Sequence, residues 1–183
     1  MDRPRVSAFC GASLDGFIAE ADGGLGFLAP FEQEEHGYPE FFATVDTVLI
    51  GRKTYETVLG FESWPYADRR VAVLSRTLRQ PRFGERFLAG EPGEILNTLG
   101  AEGARHIYAD GGEVVAGFLA AGYLDTLTLS IVPVLLGTGV RLFARSAGAH
   151  RLSLEGLRRL DSGLVQLRYS VHPPAAASPA QPS

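Results

Sequence analysis

Three short stretches of the chain place cations, hydroxyls or paired glycines just after an apolar run. In VLIGRKTYE, a β-branched run ends at Gly51 and leads into Arg52, Lys53 and Thr54 at what reads as a helix start. A helix N-terminus offers free N–H groups and a partial positive charge, and two cations with a hydroxyl beside it suit a phosphate. Lys53 is also the only lysine in the sequence. AVLSRTL repeats the arrangement with Ser75 and Arg76. An arginine there could clasp a phosphate bidentately or lie flat on an adenine ring. In HIYADGGEVVAGFL, Gly111 and Gly112 separate a strand from a helix, which lets the backbone approach a pyrophosphate closely. Three such turns at one sheet edge read as a dinucleotide groove. The GxGxxG fingerprint is absent, so the groove would be of a kind other than Rossmann.

Proton chemistry has no single owner in the sequence. FEQEEHGYPEFF offers Glu32, Glu34, Glu35 and Glu40, and for any one of them a solvated helix face is the ordinary role. Metal chemistry is not expected. Cys10 is the only cysteine, and His36, His106, His150 and His172 are far apart, without zinc-ligand spacing.

The elements that must position these residues alternate. Strands are expected at 6–13, 45–50, 70–74, 106–109 and 124–132, and a hairpin at 152–160 and 164–171 around Asp161-Ser162-Gly163. Helices are expected at 31–44, from Arg52 onward, at 94–99 and at 113–121, the first because its aromatic residues recur at helical spacing. Strand–helix alternation implies α/β architecture with parallel strands, and the final hairpin adds antiparallel edge strands. Residues 1–172 read as one domain and 173–183, rich in Pro, Ala and Ser, as a flexible tail. The composition agrees: 183 residues with 45% hydrophobic and 21% charged supply one sizeable core. A net charge of −4 argues against nucleic-acid and membrane partners. The longest apolar stretch, IVPVLLGTGV, is too short and too broken to span a bilayer, and no signal-peptide core is visible, so a cytoplasmic protein is expected.

SLDGFIAEADG, VDTVLIGRKTYE, WPY, AVLSRTL, YADGGEVVAGFL, LDTLTLSIVPVLLGTGVRLF and SGLVQLRYSV occur in an order that resembles dihydrofolate-reductase-like proteins. The branch most resembled is the reductase domain of riboflavin biosynthesis (the RibD C-terminal domain) and its bacterial relatives. The resemblance implies a three-layer α/β sandwich with a mixed, mostly parallel central sheet and a C-terminal antiparallel hairpin. It also implies NADPH, with Arg52 and Arg76 at the 2′-phosphate and Gly51, Lys53 and Thr54 at the pyrophosphate. Ser75 would meet the adenosine, and Ile18 and Ala19 the nicotinamide beneath a mobile loop at 22–26. Gly111 and Gly112 would be the glycine pair that family members hold in a cis peptide, with Glu113 and Val114 following beside the cofactor. Counting back from GRKT to the carboxylate that dihydrofolate reductases carry on their first helix leads to Glu35. Arg141 could bind an anionic group, while Asp15 and Trp64 read as structural.

The activity implied is reduction of a C=N or C=O bond in a small pterin- or pyrimidine-like heterocycle by an NADPH-dependent oxidoreductase, acting as a homodimer. Alternatives are the 5-amino-6-(5-phosphoribosylamino)uracil reductase of riboflavin synthesis, a genuine dihydrofolate reductase, and a nucleotide-binding protein without turnover.

Overall fold

The structure is a computed structural model that describes residues 3–77, 80–143 and 149–173. The first half contains β1 (Arg5–Ser13), β2 (Phe17–Ala19), a 3-10 helix (Gly26–Phe31), α1 (Tyr38–Ala43), β3 (Thr47–Gly51) and α2 (Arg52–Val58). Then come β4 (Arg70–Leu74), β5 (Arg86–Leu88), α3 (Pro92–Ala101), β6 (His106–Asp110) and α4 (Gly112–Ala120). The chain closes with β7 (Thr126–Val132), β8 (Val140–Arg141), β9 (Leu152–Arg159) and β10 (Val165–Val171).

Eight strands make one sheet in the order β5-β4-β3-β6-β1-β7-β10-β9. Every pair from β5 to β7 is parallel. β10 runs antiparallel to both β7 and β9, so the expected C-terminal hairpin is present. The mixed, mostly parallel sheet follows from the alternation read in the sequence.

Period-two burial divides the core between two helix layers. Leu49, Ala72, Ile107 and Ala109 face α3 and α4, packed with Ile95, Leu96, Val115 and Phe118. Val48, Ile50, Val71, Val73 and Tyr108 face α1 and α2, packed with Tyr55, Val58, Phe41 and Phe42. Apolar residues on both faces are what a central parallel sheet requires. At the edge where the strands begin, Asp46 accepts the backbone N–H groups of Arg105 (2.9 Å) and His106 (2.8 Å), tying β3 to β6. The register that results pairs Ile50 with Asp110, and Gly51 with Leu74 of β4. The start of α2 therefore stands beside the ends of β4 and β6.

Several elements depart from the sequence expectation. Of the helix expected over 31–44, only the six-residue α1 forms; the 3-10 helix before it ends at Phe31, and 32–37 are turns, bends and loop. Gly37 precedes α1 at φ 81°, and Pro39, which lacks an N–H, is tolerated only in the first turn. The aromatic spacing of this segment reflects packing onto the sheet rather than one continuous helix. The short strands β2, β5 and β8 were not expected, being too brief to show a period. Asp15 is structural, as expected: the Ser13 hydroxyl donates to it at 2.7 Å, and the N–H groups of Leu136 (3.1 Å) and Gly137 (2.7 Å) do the same. Those bonds, the Ser13 hydroxyl foremost, hold its carboxyl down at about 2. Trp64 packs edge-on against Tyr55 of α2, with ring centroids 6.2 Å apart. Most of the expected tail, 174–183, lies outside the described residues.

Candidate functional site

A groove of about 950 Å³ runs along the C-terminal ends of β3, β4 and β6, beside β1 and β2. That is the edge where open α/β sheets bind ligands, and the volume falls within the range of roughly 300–1,000 Å³ usual for small-molecule sites. Its lining includes Ile18, Ala19, Gly51, Arg52, Lys53, Thr54, Ser75, Arg76, Gly111, Gly112, Glu113 and Val114. The structure thus brings together every residue assigned above to a cofactor.

Each wall has a local cause. α2 begins directly after Gly51 and α4 directly after Gly111, and neither helix start carries a side-chain cap. The two starts meet closely: a Cβ added at Gly111 would lie 2.3 Å from Thr54 Oγ1. Gly111 has φ 91° and ψ 137°, a conformation open to glycine almost alone. The cis peptide expected here is not present, since no peptide bond among the described residues is cis. Lys53 and Glu113 approach at 3.7 Å, both well exposed, a pairing worth little by itself. Ser75 is buried, and its hydroxyl donates to the Thr77 carbonyl at 2.9 Å and accepts the Thr77 N–H at 3.2 Å. That turn sets Arg76 at the groove's edge.

β2 brings Ile18 and Ala19 to the opposite wall. Phe17 N–H donates to Ser13 Oγ at 2.9 Å, and β2 pairs with β8. Ile18 lies over Gly112, where an added Cβ would approach its Cδ1 to 2.7 Å. The 22–26 segment closes on itself, with Glu20 N–H donating to the Gly24 carbonyl (2.9 Å) and Gly24 N–H to Asp22 (2.8 Å). Glu20 Oε1 also accepts the Phe27 N–H at 3.1 Å, and Gly23 and Leu25 line the groove from this side.

Two expected residues stand elsewhere. Glu35 is exposed and does not line the groove; its carbonyl accepts a hydrogen bond from Arg158 at 3.0 Å. Arg141 is exposed and lies over the Phe17 ring at 4.6 Å.

The groove also contains a polar cluster that sequence reasoning missed. Asp110, the last residue of β6, lines it together with Phe9, Cys10, Tyr66 and Tyr108. Asp110 Oδ1 accepts the Gly111 N–H at 2.8 Å, and Oδ2 accepts the Tyr66 hydroxyl at 3.1 Å. Burial pushes this carboxyl above the usual aspartate range, against the opposing pull of those hydrogen bonds. Burial and the neighbouring Asp110 push the Cys10 thiol and the Tyr66 and Tyr108 phenols upward as well. The one visible signal was the position of Asp110 immediately before the glycine pair.

The model of the RibD C-terminal domain matches residues 4–166. The chain belongs to the RibD C-terminal domain family. The uncharacterized protein YwjB of Bacillus subtilis (strain 168) is 33% identical over 173 residues, covering 92% of this chain and 98% of that protein. A solved candidate riboflavin biosynthesis protein from Shewanella sp. PV-4 is 29% identical, with a TM-score of 0.84 over 91% of this chain and 98% of its own. Dihydrofolate reductase from Enterococcus faecalis, solved with NADP(H), superposes with a TM-score of 0.63 at 17% identity, over 93% and 96% of the two chains. The fold is therefore dihydrofolate-reductase-like, as the order of motifs implied. The RibD C-terminal family supports an oxidoreductase of riboflavin-pathway type.

Proposed function

We propose that this RibD C-terminal domain protein is an NADPH-dependent reductase acting on a C=N or C=O bond of a small heterocycle. The observation that carries the proposal is the single groove that gathers all twelve residues assigned to the cofactor. The residues suit the group: Arg52, Lys53 and Arg76 supply the cations, and the crowded glycines bring backbone where a Cβ would intrude. Bound there, a reduced nicotinamide would supply hydride, and the chemistry would be its own. Arg52 and Arg76 would hold the 2′-phosphate, Lys53 and Thr54 the pyrophosphate, and Ile18 and Ala19 would shape the nicotinamide end. The family match favours a second reading, the riboflavin-pathway uracil reductase, which turnover of its phosphoribosylated pyrimidine would establish.

Titration with NADPH and with NADH, followed by nicotinamide and protein fluorescence, tests the proposal. Tight, NADPH-selective binding is expected. Failure of both to bind at submillimolar concentration would overturn it.

The reading extends to a homodimer in the cytoplasm. No helix among the described residues is long and apolar enough to cross a membrane. α3 and α4 pack against the sheet through β1, β6 and β7, while on β9 Leu152, Leu154 and Leu157 are 39%, 55% and 62% exposed. Register sets these leucines beside Val171, Tyr169 and Leu167 of β10, which are half-buried. A stable interface buries about 800 Å² on each partner, more than three leucines provide, so the β10 residues would take part. Sedimentation should give a dimer for the native chain and a monomer for the Leu154→Glu, Leu157→Glu variant. A native chain that sediments as a monomer at tens of micromolar would reject this part of the proposal.

A further inference from the structure

The two arginines proposed for the 2′-phosphate stand on segments that separate as they leave the sheet. β3 and β4 last pair at Gly51 and Leu74, after which Arg52 starts α2 and Arg76 enters the connection from β4 to β5. α2 has seven residues, and isolated helices shorter than about 12 are marginal in water, so contacts outside it must hold it in place. Tyr55 is one of its buried residues, set edge-on to Phe87 of β5 with ring centroids 5.5 Å apart. Its hydroxyl donates to Glu85 Oε1. The Arg82 N–H donates to the same oxygen at 2.8 Å, and the Phe83 N–H to Oε2 at 2.7 Å. Glu85 is only 2% exposed. Burial works against its charge, but the Tyr55 hydroxyl and the two N–H groups hold the carboxyl below the usual glutamate range. An ionised acceptor thus joins a phenol of α2 to the turn before β5. β5 in turn backs the second arginine: its Leu88 pairs with Leu74 and accepts the Ser75 N–H at 2.9 Å.

We propose that Glu85 is a positioning residue for cofactor recognition, which through Tyr55 holds Arg52 against Arg76 at the spacing a 2′-phosphate needs and so sets the preference for NADPH over NADH. The proposal rests on the cofactor reading above. Glu85 does not line the groove, so it acts through the two segments it joins. Lys53 and Thr54, proposed for the pyrophosphate, both lie on α2 and move with that helix. The 2′-phosphate is the one group with a cation from each segment. A relative shift of the segments therefore weakens NADPH and spares NADH.

Tyr55→Phe tests the link, because it deletes one hydroxyl and leaves the ring and the Glu85 turn in place. In fluorescence titrations it should raise the Kd for NADPH about fivefold, the worth of one net hydrogen bond, and keep that for NADH within about twofold. Glu85→Gln should shift the ratio in the same direction, and the double variant should shift it no further than the larger single effect, since both remove one link. Tyr55→Phe carries the test by itself if Glu85→Gln does not fold. Phe87→Leu takes away the ring beside Tyr55 but neither partner of the bond. It should lower the denaturant midpoint and keep the native ratio of the two dissociation constants. Equal losses for both cofactors in Tyr55→Phe, an unchanged ratio there, or a shift of the same size in Phe87→Leu would overturn the proposal. A native chain that binds neither cofactor would instead overturn the cofactor reading, so the two failures are distinguishable.

Discussion

Replacing Arg52 and Arg76 together with alanine is expected to raise the Kd for NADPH about 100-fold while changing that for NADH only a few-fold. Both side chains are exposed on the groove's rim, one at the start of α2 and one after β4. A charge-assisted contact to a phosphate is worth roughly 1.5–3 kcal/mol in a protected site. On an exposed rim water screens it, and about 1–1.5 kcal/mol each is the reasonable share, or about tenfold per arginine. NADH has no 2′-phosphate and loses neither contact. The fold should not respond, because neither side chain belongs to the core clusters. Fluorescence titration of the four proteins in the cycle, each with both cofactors, reads the result. Equal losses for NADPH and NADH would show that the two arginines attract anions generally and do not recognise the extra phosphate.

That the residues proposed for the cofactor share one groove was legible in the sequence because their signals are local. Gly51-Arg52-Lys53-Thr54 and Gly111-Gly112-Glu113-Val114 are each contiguous, and each lies where an apolar strand hands over to a helix. The acidic side was not legible. Tyr66 and Asp110 are 44 residues apart, and Tyr66 belongs to an irregular segment with no period to mark it. Counting back from GRKT led to Glu35 within the helix expected over 31–44. The chain there is instead a 3-10 helix, a turn and a short α1 begun at Gly37, which leaves Glu35 exposed. A residue number transfers between relatives only where the intervening backbone does. The same limit hid β2 and β8, whose pairing joins residues 17–19 to 140–141 and so depends on contacts far apart in the chain.

The largest structural effect is expected from Gly111→Ala, for two reasons that an experiment separates. The first is backbone conformation: at φ 91° and ψ 137° a residue with a Cβ is strained by about 1–3 kcal/mol. The second is contact, since that Cβ would lie 2.3 Å from Thr54 Oγ1 and 3.5 Å from Thr54 Cβ. Relief requires either Thr54 or the start of α4 to move, and both belong to the proposed phosphate site. Gly111→Ala should therefore lower the unfolding free energy by several kcal/mol and weaken NADPH binding by more than tenfold. Thr54→Ala removes the colliding Oγ1 and leaves only the ordinary contact with Cβ. The double variant should then recover the steric part of the stability loss and retain the conformational part. Denaturant unfolding of the four proteins gives a coupling energy of about 1–2 kcal/mol in the stabilising direction if the two residues meet as described. Simple additivity would mean that the two helix starts do not crowd one another, and the pyrophosphate assignment of Thr54 would lose its structural basis.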